Sequence, residues 1–142
     1  MALYSLANRT SNVTIANPNL EVRAGASNRP RVLELGIWLN AATQSVIGLG
    51  RPQAIGVTPT APVTVLAEDP AESTGLTQTA LAWATPPTVP LNFFRRLNIA
   101  AAIGAGAILT FPRGIVIAAA NSIVTWNITA TSVADIFVVV DE

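Results

Sequence analysis

The stretch AILTFPRGIVIAAANSIVTWNITATSVADIFVVV, residues 107–140, decides the fold. Its apolar runs are short, and turn sequences such as Pro112-Arg113-Gly114 and Ala120-Asn121-Ser122 separate them. The β-branched and aromatic residues of these runs suit the pleated, half-buried surface of a β-sheet. Closely spaced short strands are typical of a sandwich or barrel. The stretch therefore predicts four consecutive strands, at residues 107–111, 115–117, 123–128 and 136–140.

Further strands are predicted upstream of this stretch. Residues 31–40 alternate with a period of two, which predicts one buried face and one half-exposed face. The face predicted to be buried carries Leu33, Leu35, Ile37 and Leu39, and the other carries Val32, Glu34, Gly36 and Trp38. Because proline donates no ladder hydrogen bond, residues 85–90 are excluded from a central strand. The other predicted strands are residues 45–50, 63–67, 77–84 and 93–99.

The number of strands predicts an all-β protein. The chain has 142 residues, which is enough for one domain with a core. Eight or more strands in a chain of this size predict an antiparallel β-sandwich of jelly-roll-like type, an architecture of viral capsid and lectin domains. An immunoglobulin-like sandwich is the alternative, although the chain lacks the cysteine pair of that fold.

Residues 1–30 differ from the rest of the chain in composition. They are rich in Asn, Ser, Arg and Ala, and they contain turn sequences such as Asn17-Pro18-Asn19. Two interpretations remain open. The segment forms either an extended N-terminal arm on a neighbouring subunit or two edge strands, near residues 2–6 and 20–24. The predicted division is residues 1–30 for the arm or edge strands and 31–142 for the sandwich.

The composition indicates a protein that assembles with others. Hydrophobic residues make up 51% of the chain and charged residues only 11%, whereas a typical soluble domain is about a quarter charged. Exposed apolar surface usually marks a place where another protein binds. The eight basic residues are all arginines and are scattered, so no basic stripe for nucleic acid is predicted. The longest weakly polar stretch, residues 99–109, is too short to span a membrane, and the first residues do not resemble a signal peptide.

The side chains available for catalysis are few. The chain has no Cys, His or Lys, so the usual bases and nucleophiles of covalent catalysis are missing. We expect no enzyme activity, no catalytic residue and no cofactor. The carboxylates of Glu34 and Asp135 are interpreted as surface charges or as ion-pair partners of an arginine. Residues 68–72 are interpreted as a solvated acidic turn, with a structural calcium ion as the alternative, and no metal site is predicted.

Several aromatic and basic residues are candidates for contact with a partner. Trp38 lies on the half-exposed face of its strand, and a Trp at strand spacing is more often core or interface than a sugar platform. The segment 93–96 combines two Phe with two Arg, and Arg113 lies in a turn at the rim, from which it would reach a partner carboxylate. The predicted partner contacts are Tyr4, Arg9, Trp38, Phe93, Phe94, Arg95, Arg96 and Arg113.

Three segments resemble small virion structural proteins of tailed bacteriophages that decorate or cement the head. They are MALYSLANRTSNVTIANPNLEVRA (1–24), RPRVLELGIWLNAATQSVIGLGRP (29–52) and FPRGIVIAAANSIVTWNITATSVADIFVVVDE (111–142). The resemblance is one of style and arrangement and rests on no diagnostic motif. It implies a jelly-roll or similar homotrimer, made in the host cytoplasm, that binds the major capsid protein on the outer surface of the virion and stabilises the capsid.

Two alternative functions stay open at this point. One is a carbohydrate-binding sandwich of a head fibre or tail, which would need an exposed platform formed by Trp38, Trp83 or Trp126. The other is a structural component of the neck or tail of the virion.

Overall fold

The computed structural model describes residues 2–10, 17–129 and 133–142. Within these residues the chain forms β-strands and no helix, which confirms the predicted all-β class. The thirteen strands are β1 (Leu3–Arg9), β2 (Pro18–Arg23), β3 (Arg31–Leu39), β4 (Ser45–Gly50), β5 (Val57–Pro59), β6 (Val63–Thr64), β7 (Leu66–Ala67), β8 (Gln78–Ala80), β9 (Trp83–Thr85), β10 (Phe93–Ile99), β11 (Gly106–Val116), β12 (Ser122–Asn127) and β13 (Ala134–Asp141).

The strands form two main sheets that pack against each other as a β-sandwich. Sheet A has the order β11-β3-β13-β1-β7, and sheet B has the order β10-β4-β12-β2-β8-β6. A third, small sheet consists of β5 and β9. All strand pairs are antiparallel. The predicted antiparallel sandwich is therefore confirmed.

The eight long strands pair in a nested order. The first four strands of the chain, β1 to β4, pair with the last four in reverse: β1 with β13, β2 with β12, β3 with β11 and β4 with β10. Consecutive long strands alternate between the sheets at each step except from β4 to β10. The chain is thus folded as one long antiparallel hairpin, whose tip is the segment of residues 51–92.

The core lies between the two main sheets. Its side chains alternate along each strand with residues of the outer face, as the two-residue period of a strand requires. Each buried Val, Leu or Ile contributes about 1.5–3 kcal/mol by leaving water. The large core residues include Tyr4, Leu20, Val22, Val32, Leu35, Ile37, Leu39, Ile47, Leu49, Ile123, Ile136, Val138 and Val140.

A β-bulge changes the predicted faces of β3. The register with β13 shifts between Val139 and Val140, so that Val139 faces Glu34 while Val140 faces Val32. Leu33 is the extra residue. As a result Val32 is fully buried and Leu33 only half-buried. The prediction for these two residues was wrong, because a strict alternation cannot reveal a bulge; the faces predicted for the rest of the strand are confirmed.

A second irregularity merges two predicted strands. The strands predicted at residues 107–111 and 115–117 form the single strand β11, whose register with β3 shifts between Thr110 and Ile115. Gly114 has φ of 65°, which a glycine adopts without strain. Pro112 is tolerated because β11 lies at the edge of the sheet. The turn chemistry in the sequence therefore marks a bulge rather than a chain reversal.

The tip of the hairpin departs most from the predicted strands. The strand predicted at residues 63–67 is divided between the sheets: β6 belongs to sheet B and β7 to sheet A. Val65, between them, is buried at the crossing. The strand predicted at 77–84 is likewise divided into β8 in sheet B and β9 in the small sheet.

The N-terminal segment supplies two inner strands. β1 pairs with β13 at seven successive positions and with β7 on its other side. β2 lies between β12 and β8. Of the two interpretations left open by the sequence, strand formation is the one seen in this chain, although neither strand is at an edge. Residues 11–16 lie outside the described residues.

The outer face of sheet B is covered by the tip segment, and the side chain of Glu21 holds this cover in place. Glu21 is fully buried on the outer face of β2. Its carboxylate accepts hydrogen bonds from Trp83 Nε1 (2.6 Å), Gly56 N (3.1 Å), Ser122 Oγ (2.7 Å) and an Arg23 guanidinium nitrogen (3.0 Å). The same Arg23 nitrogen donates to the carbonyl of Gly56 at 2.6 Å. Strands β2 and β12 are thereby joined to β9 and to the residue before β5.

Replacement of Glu21 by Ala should lower the free energy of unfolding by about 3–5 kcal/mol, because the partly buried guanidinium of Arg23 and three further donors lose their acceptor. Urea unfolding followed by circular dichroism measures this. Glu34→Ala is the matched control: Glu34 is half-buried on the outer face of sheet A, where we expect a change within about 0.5 kcal/mol. Equal losses in the two variants would contradict the role given to Glu21.

Candidate binding face

The two sheets differ in what covers their outer faces. On sheet B, Glu21, Val124 and Trp126 face outward from the core and are nevertheless buried. The tip segment contacts part of this face: Gly56 and Trp83 donate hydrogen bonds to Glu21, and a Cβ on Gly50 would meet Pro90. Beside Trp126, a Cβ on Gly48 would meet the ring of Phe93, the first residue of β10. On sheet A no described residue forms such a cover, and most of its outward side chains are half-buried or exposed. We call this surface the open face.

The open face is built from four strands, β1, β13, β3 and β11, in that order. Because paired residues of adjacent strands point to the same side, the strand registers define four rows of neighbouring side chains. The rows are Leu3, Asp141, Arg31 and Val116; Ser5, Val139, Glu34 and Thr110; Ala7, Phe137, Gly36 and Ile108; and Arg9, Asp135, Trp38 and Gly106. From standard strand spacing the face measures about 15 Å across the strands and about 20 Å along them.

An aromatic pair lies at the middle of the open face. The rings of Trp38 and Phe137 stack with centroids 5.5 Å apart and an interplanar angle of 24°. Gly36 makes this possible, because a Cβ there would lie 2.2 Å from the Phe137 ring and 2.6 Å from the Trp38 ring. Both aromatic residues are half-buried, and the neighbouring Ile108 is 53% exposed. The centre of the face is therefore a shallow apolar surface.

One edge of the open face carries an ion pair. Arg9 donates two hydrogen bonds to the two carboxylate oxygens of Asp135, from Nε at 2.7 Å and from a terminal nitrogen at 2.8 Å. The hydrogen bond from Arg9 lowers the pKa of Asp135 below its usual value, and the reciprocal bond raises the pKa of Arg9. Both side chains are about half exposed, so this bidentate pair orients polar groups more than it stabilises the fold.

The opposite edge of the open face has grooves beside Leu3, Leu33 and Pro112. A groove of about 380 Å³ is also lined by Arg31, Arg113 and Asp141. A second groove, of about 460 Å³, is lined by the same three apolar residues and by Glu34 and Glu68. Asp141 is 7% exposed, and its Oδ1 has no hydrogen-bond partner among the described residues. This edge thus combines an apolar floor with charges of both signs.

The residues predicted as partner contacts lie in three places. Arg9, Trp38 and Arg113 are together on the open face or its rim. Phe93, Phe94, Arg95 and Arg96 lie on β10, at the edge of sheet B, so they are not part of this face. Tyr4 is buried in the core, where its hydroxyl donates to the carbonyl of Ser73 at 3.1 Å.

Residues that the sequence did not single out complete the open face. Phe137 and Val139 belong to a continuous apolar run that reads as buried on both sides. In the structure Phe137 and Val139 are half-buried and alternate with the fully buried Ile136, Val138 and Val140. The difference arises because one face of sheet A is uncovered, and this depends on the tertiary structure. Leu3 and Ile108 lie in predicted strands and are exposed. Nothing in the sequence indicated that their side chains would lie on the same face.

No family model, curated protein or solved structure matches this chain.

Neither a metal-binding cluster nor a membrane-spanning helix is found in the described parts of the chain. In residues 2–10, 17–129 and 133–142, no three His, Cys, Asp or Glu side chains are grouped so that they could hold a metal ion. Over the same residues, no helix of the length and hydropathy needed to span a membrane is found.

The carboxyl of Asp135 should titrate below its ordinary pKa of 3.8, since Arg9 stabilises the charged form. The stabilising effect of a depressed pKa is present above the unfolded value and is lost as the pH falls through the folded one. Carboxyl-detected NMR titration measures the pKa, and we expect Arg9→Gln to return it toward 3.8. Arg113→Gln, at the far edge of the face, is the control and should leave the pKa of Asp135 unchanged.

Proposed function

We propose that this protein is a non-enzymatic structural subunit of a phage virion, which binds the major capsid protein on the outer capsid surface and stabilises the shell. The observation that carries the proposal is the open face of sheet A. Its apolar centre of Trp38, Phe137 and Ile108 lacks the cover that the tip segment provides to sheet B. Apolar surface of this kind is usually a protein contact site.

The winding of the chain supports this proposal at the level of architecture. We infer that the sandwich is a jelly roll, because its eight long strands pair in nested order and are divided equally between the two sheets. Jelly rolls are a common architecture of viral capsid domains. Architecture alone does not carry function, so the open face and the resemblance of the sequence to decoration proteins remain the principal support.

The size of the open face suggests how such a protein would act. Its flat extent of about 15 by 20 Å is well below the ~800 Å² per partner of a standard interface. A single contact of this size is weak. Several copies joined in one oligomer, whether the homotrimer that the resemblance implies or a smaller assembly, would bind a repeating shell much more tightly through multivalency. Binding to the assembled shell alone would stabilise it by mass action.

The proposed contact also uses the charged edges of the face. The Arg9–Asp135 pair and the Arg31, Arg113 and Asp141 groove flank the apolar centre on opposite sides. A polar rim around an apolar centre is the usual anatomy of a protein interface. The rim charges would favour one orientation on the partner more than they would increase affinity.

A carbohydrate-binding module is the second candidate, since Trp38 and Phe137 form a half-exposed aromatic pair. The three tryptophans do not form one platform: Trp126 is buried, and the Trp83 indole donates a hydrogen bond to Glu21. A glycan-binding screen with Trp fluorescence tests this candidate. Binding that Phe137→Ala abolishes would favour it over the capsid contact.

The first test of the capsid proposal is the copy number of this protein in purified particles from its source, measured by quantitative mass spectrometry against the main shell protein. Hundreds of copies in a simple ratio to the shell are expected. A dozen or fewer would favour a neck, tail or fibre component. Complete absence from the particles would refute the virion role.

The second test uses Ala7→Arg, which places a long charged side chain on the open face directly beside Phe137 without removing a buried group. We expect at least a tenfold loss of binding to particles that lack the protein, measured by co-sedimentation. Ala54→Arg, on the exposed tip segment over sheet B, is the matched control and should bind as the wild type does. Equal binding of the two variants would show that the open face is not the contact surface.

A further inference from the structure

The strand β11 leaves one side of its main chain without a neighbour. It is the outermost strand of sheet A and pairs only with β3. No main-chain hydrogen bond from another described residue reaches residues 106–110 on the side away from β3. An edge strand of this kind presents a row of unpaired N–H and C=O groups that pair readily with another extended chain.

The other strand edges in the described part of the chain are protected. β6 and β7, at the far ends of the two sheets, are only two residues long, and β5 and β9 of the small sheet have three residues each. The part of β1 that extends beyond β7, residues 6–9, ends at the charged Arg9. β10, at the end of sheet B next to β11 in the chain, carries the exposed Arg95 and Arg96 and a register shift after Phe93. Short length, charge and bulges are the devices by which natural proteins prevent edge pairing.

The second half of β11 is protected as well. Pro112 has no N–H and cannot donate a hydrogen bond to a neighbouring strand. The register shift between Thr110 and Ile115 increases the twist of the strand there. The Arg51 guanidinium donates to the carbonyl of Val116 at 2.9 Å. The Arg95 guanidinium lies over the ring of Phe111, 5.8 Å from its centroid. Only the first half of the strand, residues 106–110, lacks every one of these devices.

The unprotected half is also free of charge. No charged residue occurs between Arg96 and Arg113. The large apolar side chains there are exposed: Ile108 is 53% exposed, and Ile103, in the turn that leads into the strand, is 73% exposed. An extended partner strand that fits this edge is therefore itself uncharged, and this chain carries such a strand in residues 106–110.

We propose that residues 106–110 pair antiparallel with the same residues of a second copy of the chain. The two-fold axis passes through Ile108, so that the Ile108 side chains of the two copies are opposite each other. Ala107 is then opposite Leu109, and Gly106 opposite Thr110. The arginines at position 113 lie at opposite ends of the pair, ~34 Å apart at the usual rise per residue, so like charges do not meet. A contact of this kind is isologous and closes with two copies.

This pairing has a consequence for the open face. The two five-stranded sheets join into one of ten strands, and a two-fold axis perpendicular to the sheet leaves both open faces on the same side. The dimer therefore presents a surface of twice the width. The pairing itself depends only on the free edge and is independent of what the open face binds.

The first experiment is size-exclusion chromatography with light scattering on the full chain, from micromolar to millimolar concentration. Because a contact of five residue pairs is small, we expect a mass that rises with concentration toward twice the 14.8 kDa of one chain. Ile108→Lys should restore the single-chain mass with an unchanged circular dichroism spectrum. Leu91→Lys, which changes an exposed apolar residue in the tip segment, is the matched control and should dimerise as the wild type does.

The second experiment tests the register by cross-linking, since the chain has no cysteine of its own. In Ile108→Cys the Cα atoms of the two cysteines lie opposite each other about 5 Å apart, a distance that a disulfide can span. In Thr110→Cys the Cα atoms of the two cysteines lie ~14 Å apart, too far for a disulfide. We expect a disulfide-linked dimer from the first variant under mild oxidation and little from the second.

Three outcomes would overturn the proposal. They are a single-chain mass at millimolar concentration, a dimer or trimer that persists in Ile108→Lys, and equal cross-linking of the two cysteine variants. None of these measurements involves a particle, so failure of the edge pairing and failure of the capsid contact are distinguished.

Discussion

The buried carboxylate of Glu21 is the interaction on which the rest of the structure depends. A carboxylate fully removed from water is tolerated only when donors satisfy it, and here the donors come from both sheet B and the tip segment. The residues that satisfy Glu21, among them Gly56 and Trp83, are also those that bring the tip segment onto sheet B. The side chain of Glu21 thereby specifies where the tip segment, residues 51–92, is placed.

This placement makes the two sides of the sandwich unequal. With the tip segment over sheet B, Val124 and Trp126 become a second, smaller interior. Sheet A has no comparable segment among the described residues, and its Trp38–Phe137 pair remains at the surface. The low share of charged residues, 11% of the chain, is explained in part by the covered outer face of sheet B, which needs few charges.

The edges of the sheets show a similar inequality. Arginines contact the second half of the edge strand β11. Arg51 donates a hydrogen bond to the carbonyl of Val116, and the Arg95 guanidinium lies over the ring of Phe111. The arginines, which are scattered in the sequence, thus make local contacts at strand edges and in ion pairs. The uncharged segment 106–110 is distinct because these arginines do not reach it.

The sequence by itself determined the all-β class, the antiparallel sandwich and the position of most long strands, since alternation and turn residues act locally. It also pointed to Trp38, Arg9 and Arg113, which the fold brings to one surface. The tertiary structure alone decided the bulge at Leu33, the union of two predicted strands in β11, the division of residues 63–67 between the sheets, and the burial of Glu21. Each of these depends on partners far away in the chain, such as Val140 for the bulge and Trp83 for Glu21. A pattern within one strand reports which side chains share a face, but it cannot report what covers that face.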